Sequence, residues 1–156
     1  MQLTTSMNPV ILTPLSSAKK VLETNFLGPF VFIQMGVRLL RRAEAGRIVN
    51  VSSVAVPLRL PGEAVYAASK AAIEVFTRIV AKEVASFGIT CNAVGPGPIN
   101  TDLIKGVKKE KIDELTEKQA IKKLSEPADV ANVIDFFLKP ESAMITGQVI
   151  YLGGVG

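Results

Sequence analysis

The chain has 156 residues, the size of one domain, and its 48% hydrophobic content and mean hydropathy of +0.34 are high for a water-soluble protein. It has no histidine and one cysteine, which excludes a Ser-His-Asp triad, a histidine-ligated metal, an internal disulfide and a zinc cluster built on cysteines. A net charge of +4 is spread among acids with no aromatic-bearing basic stripe, so nucleic acid is not expected as a partner.

In chain order, Met1 to Leu12 reads as irregular, and its lack of early positive charge argues against a secretory signal. Thr13-Pro14 is a good helix start, with a hydroxyl cap and proline in the first turn. Val21, Leu22, Phe26, Phe30, Ile33, Val37 and Leu40 then recur at helical spacing, predicting one helix to about Ala43. Gln34 and Arg38 interrupt its apolar run, so no membrane span is expected and the chain reads as cytoplasmic. After the stop at Gly46, Ile48 to Val51 is short, β-branched and apolar on both sides, as suits a buried parallel strand. Residues 54 to 62, with two prolines, read as a loop.

Glu63 to Phe87 is periodic again, with a smooth face of Ala67, Ala68, Ala71 and Ala72, and Gly88 ends it. Ile89 to Val94 is a second strand, with Cys91 as a buried structural residue rather than a reactive one. The lysine-rich stretch Thr101 to Lys123 reads as a charged, amphipathic helical excursion, and its Lys105, Lys108, Lys109 and Lys111 as a solvated face. Pro127 to Leu138 is another helix and Gln148 to Leu152 a third strand. Strands alternating with helices predict an α/β fold with a parallel sheet, in a single domain over 1–156.

Chemistry concentrates where the first strand ends and the second long helix begins. Asn50-Val51-Ser52-Ser53 puts a hydroxyl at a strand end, and Tyr66-Ala67-Ala68-Ser69-Lys70 puts a phenol and an ammonium on one helix face at i, i+4. A phenol near its usual pKa of about 10 is a poor acid or base at neutral pH, and a cation beside it favours the phenolate. Tyr66 and Lys70 are spaced for that coupling, and Ser53 for holding a substrate oxygen.

Gly46-Arg47-Ile48-Val49-Asn50-Val51-Ser52-Ser53, Tyr66, Lys70, Asn92-Ala93-Val94-Gly95-Pro96-Gly97-Pro98-Ile99-Asn100-Thr101 and Ile145-Thr146-Gly147-Gln148 occur in the order and spacing of one family. From about Leu15 to Gly154 the chain resembles the short-chain dehydrogenase/reductases. The resemblance implies a partial Rossmann-like sheet of about three strands, NAD or NADP as cofactor, and a small carbonyl or alcohol substrate. By the same resemblance Tyr66 is the general acid/base, Ser53 positions the substrate carbonyl, and Lys70 lowers the Tyr66 pKa and binds the nicotinamide ribose. Asn25 matches the asparagine that helps hold a relay water, while Pro96, Gly97, Ile99 and Thr101 match the loop that binds the nicotinamide carboxamide. Only Ser53, not Ser52, keeps the family distance to Tyr66.

The family normally opens with a strand, a Gly-rich turn and a helix that receives the cofactor pyrophosphate. No such unit stands in this sequence, so the chain reads as the carboxyl-terminal part of such an enzyme. Two smaller departures are Val56, where the family usually has Gly, and Gly153, where it usually has Asp. The resemblance also implies pairing of the two long helices between subunits in a homo-oligomer. The second reading is a truncated, non-catalytic member that acts only through those helices.

Overall fold

The computed structural model describes residues 8–43, 45–101, 104 and 109–155. Three strands, β1 (Gly46–Val51), β2 (Ile89–Gly95) and β3 (Val149–Tyr151), form one parallel sheet in the order β1-β2-β3. Gly46 stands opposite Ile89 and Val51 opposite Val94, so β1 and β2 end level with one another. The register of β3 brings Tyr151 opposite Gly95. Every residue of the central strand β2 is buried, as expected of a parallel strand covered on both faces.

Helices α1 (Leu15–Leu22) and α2 (Gly28–Leu40) precede β1, and α3 (Ala55–Leu58) and α4 (Ala64–Val84) connect β1 to β2. Ile33 of α2 and Val80, Ala81 and Val84 of α4 close over Ile89 and Cys91 of β2 to make the main core. Gly88, at φ 71°, adopts the left-handed conformation that turns the chain out of the helix and into β2. Beyond the sheet come α5 (Lys109–Glu117) and α6 (Pro127–Leu138). Helix α6 packs on β1 and β2 and buries Phe137 outside the main cluster.

The α/β class and the three parallel strands are as the sequence predicts, with two differences in the helices. The expected single helix from residue 13 to 43 is broken by a π-helical turn, Glu23–Leu27. Pro29 explains the break: it has no N–H to donate to the carbonyl four residues back, that of Asn25, and its ring crowds that carbonyl. A one-residue widening relieves both. The second difference is α3, which folds within the expected loop 54–62 and ends at Arg59 in a left-handed conformation, φ 49°. Lys105 and Lys108 lie outside the described residues.

Candidate active site

The carboxyl ends of β1 and β2 and the amino-terminal turns of α4 converge on one region. Ser53 follows β1, where Ser52 N–H donates to the Val94 carbonyl (2.7 Å) and Val54 N–H to the Pro96 carbonyl (3.1 Å). These two bonds bind the serine turn to the end of β2. The Ser53 hydroxyl accepts from Ala55 N–H (3.2 Å) and lies close enough to the Tyr66 phenol to lower its pKa.

Tyr66 lies in the first turn of α4 and Lys70 one turn on, as their spacing requires. Burial pushes the Tyr66 phenol above its usual value and Glu63 adds to the rise, while the lowering influence is the hydrogen bond with Ser53. The Lys70 Nζ sits 5.9 Å from the ring centroid and donates to the Val51 carbonyl at 3.0 Å. Burial in turn lowers the Lys70 pKa.

Asn25 sits at the centre of the π turn and is buried. Its amide donates to Ser69 Oγ (3.1 Å), and that hydroxyl donates to the Tyr66 carbonyl (2.7 Å). Asn25 is therefore joined to the helical turn that carries the phenol. It also lines, with Lys70, Val51 and Phe32, a groove of about 470 Å³ along the outer side of β1, which has no neighbouring strand there among the described residues.

The loop after β2 carries Pro96, Gly97, Ile99 and Thr101. Ile99 makes a parallel bridge with Ser125, closed by Ser125 N–H to Pro98 carbonyl (3.0 Å) and Asn100 N–H to Ser125 carbonyl (2.9 Å). In such a bridge the Ile99 amide faces away from Ser125, so it is available to a carboxamide as a nicotinamide-binding loop requires. Gly97 passes close to Gln119, whose Oε1 would lie 2.9 Å from an added Cβ. Thr101 is exposed, with its hydroxyl 3.4 Å from the Ile99 carbonyl.

Three polar residues were not singled out in the sequence. Glu63, buried just before α4, has its pKa raised by burial against the opposing charge of Lys111. Gln119 is 3% exposed, and neither of its amide atoms has a hydrogen-bond partner among the described residues. A Cβ on Gly153 would fall 2.0 Å from Gln119 Oε1, so the glycine in the family's aspartate position makes room for that side chain. Glu74, buried on α4, accepts from both Ser52 and Tyr151. Its signal in the sequence was a carboxylate eight residues after Tyr66, on the face that carries Lys70.

Residues 3–154 match the family described as enoyl-(acyl carrier protein) reductase. This chain belongs to the short-chain dehydrogenase/reductase family. It is 36% identical over 134 residues to a 3-oxoacyl-[acyl-carrier-protein] reductase of Staphylococcus epidermidis, a match covering 86% of this chain and 55% of that protein. The chain thus spans about half the length of that relative. The crystal structure of 3-oxoacyl-[acyl-carrier protein] reductase from Brucella melitensis superposes with a TM-score of 0.88 at 33% identity, covering 95% of this chain and 56% of that one. ElxO with NADP bound gives 0.84 at 30%, covering 93% and 60%. As a member of the family with a parallel sheet of its type, the chain has the fold that its motifs imply. No described helix is long and apolar enough to cross a membrane.

Proposed function

We propose that this chain forms the catalytic side of an NAD(P)-dependent oxidoreductase acting on a small carbonyl or alcohol. The observation that carries the reading is the convergence of Ser53, at the end of β1, with Tyr66 and Lys70, one turn apart at the start of α4, where Ser53 is close enough to the half-buried phenol to lower its pKa. NAD or NADP, when bound, supplies or accepts the hydride at the carbonyl carbon. Ser53 holds the substrate oxygen, and Tyr66 delivers a proton to it in reduction or removes one in oxidation. Lys70 stands ready to bind the ribose, Asn25 steadies the Tyr66 turn, and Ile99 N–H, Pro96, Gly97 and Thr101 form the carboxamide loop. The named relatives favour a 3-oxoacyl substrate among the carbonyl compounds.

These 156 residues contain no Gly-rich turn leading into a helix, and remote phosphate contacts are what normally hold a dinucleotide in register. Turnover by this polypeptide alone is therefore expected to be very weak. Exposed Val75 and Ile79 on α4, and Val31 on α2, support homo-oligomerisation through the two long helices.

Fluorescence titration with NADH and NADPH tests the reading. Saturable binding, weakened about tenfold in Lys70→Ala by loss of one charge-assisted hydrogen bond, is the expected result. Tyr66→Phe should bind cofactor yet fail to reduce a carbonyl probe. A folded sample that binds neither cofactor at millimolar concentration would overturn it and leave a non-catalytic family member.

A further inference from the structure

We propose that Glu74 is a positioning residue, a buried carboxylate that ties together three chain segments which build the candidate site. The inference rests on the catalytic reading for its purpose, though not for its geometry. Glu74 lies two turns beyond Tyr66 and one beyond Lys70 on the same face of α4. It is 5% exposed, and a single oxygen, Oε1, accepts from Ser52 Oγ at 2.6 Å and from the Tyr151 hydroxyl at 2.5 Å. The other oxygen faces Arg78 at 3.9 Å, a long pair with a half-exposed partner.

Each partner belongs to a different part of the site. Ser52 is the residue before Ser53, and its backbone joins β1 to β2. Tyr151 ends β3 and its ring lies close against Gly95, where an added Cβ would fall 2.4 Å from its Cδ1. Gly95 is the last residue of β2 and leads directly into Pro96 and Gly97, and Leu152 N–H donates to its carbonyl at 3.0 Å. One carboxylate thus fixes the helix bearing the phenol and ammonium, the turn bearing the serine, and the start of the carboxamide loop. The polar partners of Glu74 among the described residues are Ser52, Tyr151 and Arg78 and not Ser53, Tyr66 or Lys70, so its effect on those three passes through the segments it holds.

Hydrogen exchange of the full chain without cofactor, on amides of Ser52, Val54 and Leu152, reads the tie directly, because those amides bridge the segments. Glu74→Ala should speed exchange at all three by about tenfold while the Val80 and Val84 amides of α4 hold their rates. Glu74→Gln should stay near wild type, since its carbonyl oxygen can accept both hydroxyls. Should Glu74→Ala fail to fold, Ser52→Ala and Tyr151→Phe each remove one bond and must reproduce the local acceleration. Unchanged rates at the three amides, or equal acceleration throughout α4, would overturn the proposal. In parallel, NADPH titration should show binding weakened about tenfold in Glu74→Ala and retained in Glu74→Gln. Wild-type binding unaffected by Glu74→Ala also overturns it. Absence of wild-type binding instead removes the catalytic reading, with the exchange data still deciding whether the tie exists.

Discussion

At the residue scale, the phenol and the thiol show how burial sets reactivity here. Because burial raises the Tyr66 pKa, the folded chain keeps this proton at a pH where the unfolded chain, near the ordinary value of 10.0, has released it. The native state then binds more protons than the unfolded state, so stability falls as pH rises above 10. Lys70, lowered by burial, works in the opposite direction: its penalty is present at low pH and is relieved as pH rises towards 10.5. Comparing wild type with Tyr66→Phe cancels the Lys70 contribution, and urea unfolding should show a smaller loss between pH 9 and 11 in the variant. Equal losses would mean the phenol is not the group held protonated. Cys91 is fully buried in β2, and desolvation pushes its thiol up to about 12. A thiol reagent at pH 8 should leave the native protein unmodified and label one cysteine after unfolding.

At the element scale, the π turn is the feature that aims Asn25 at Ser69. Pro29 forces it, so Pro29→Ala restores a donor for the Asn25 carbonyl and allows the regular α-helix that periodicity predicts. That change should raise stability by about 1 kcal/mol while rotating Asn25 away from Ser69. An NMR measurement of the Asn25 side-chain amide, together with thermal unfolding, checks both halves. The strands and α4 were legible because they carry strong local signals: β-branched runs, a 3.6-residue period, and Gly46 and Gly88 as stops. The motif order likewise gave the positions of Ser53, Tyr66 and Lys70. The π turn was harder to read, since Phe26, Phe30 and Ile33 keep a helical period across Gly28-Pro29 and only the proline marks the break. The sources of the Tyr66 shift were illegible for another reason. Spacing places Lys70 near Tyr66, but only the tertiary fold shows its ammonium turned to the Val51 carbonyl and brings Ser53 to the phenol.

At the scale of the whole molecule, a three-stranded sheet whose two outer strands, β1 and β3, each have one unpaired edge among the described residues leaves much apolar surface in water. Phe32 is 81% exposed and Met35 and Leu39 lie beside it on α2, next to the outer side of β1. On α4, Val75 and Ile79 are 55% and 49% exposed, on the side of the helix away from Tyr66. An apolar patch of this kind, and an open strand edge, both drive association. Light scattering across concentrations should therefore give a mass above the 16.7 kDa of one chain. The two surfaces predict different responses to a charge. If the long helices form the contact, Val75→Glu with Ile79→Glu lowers the mass to that of a monomer while the melting temperature, set by the α2–α4 core, stays within a few degrees. If the open side of β1 is what associates, Phe32→Glu has that effect and the α4 pair does not. Only the first outcome agrees with the proposed helix-mediated oligomer; the second would assign association to the unpaired sheet edge.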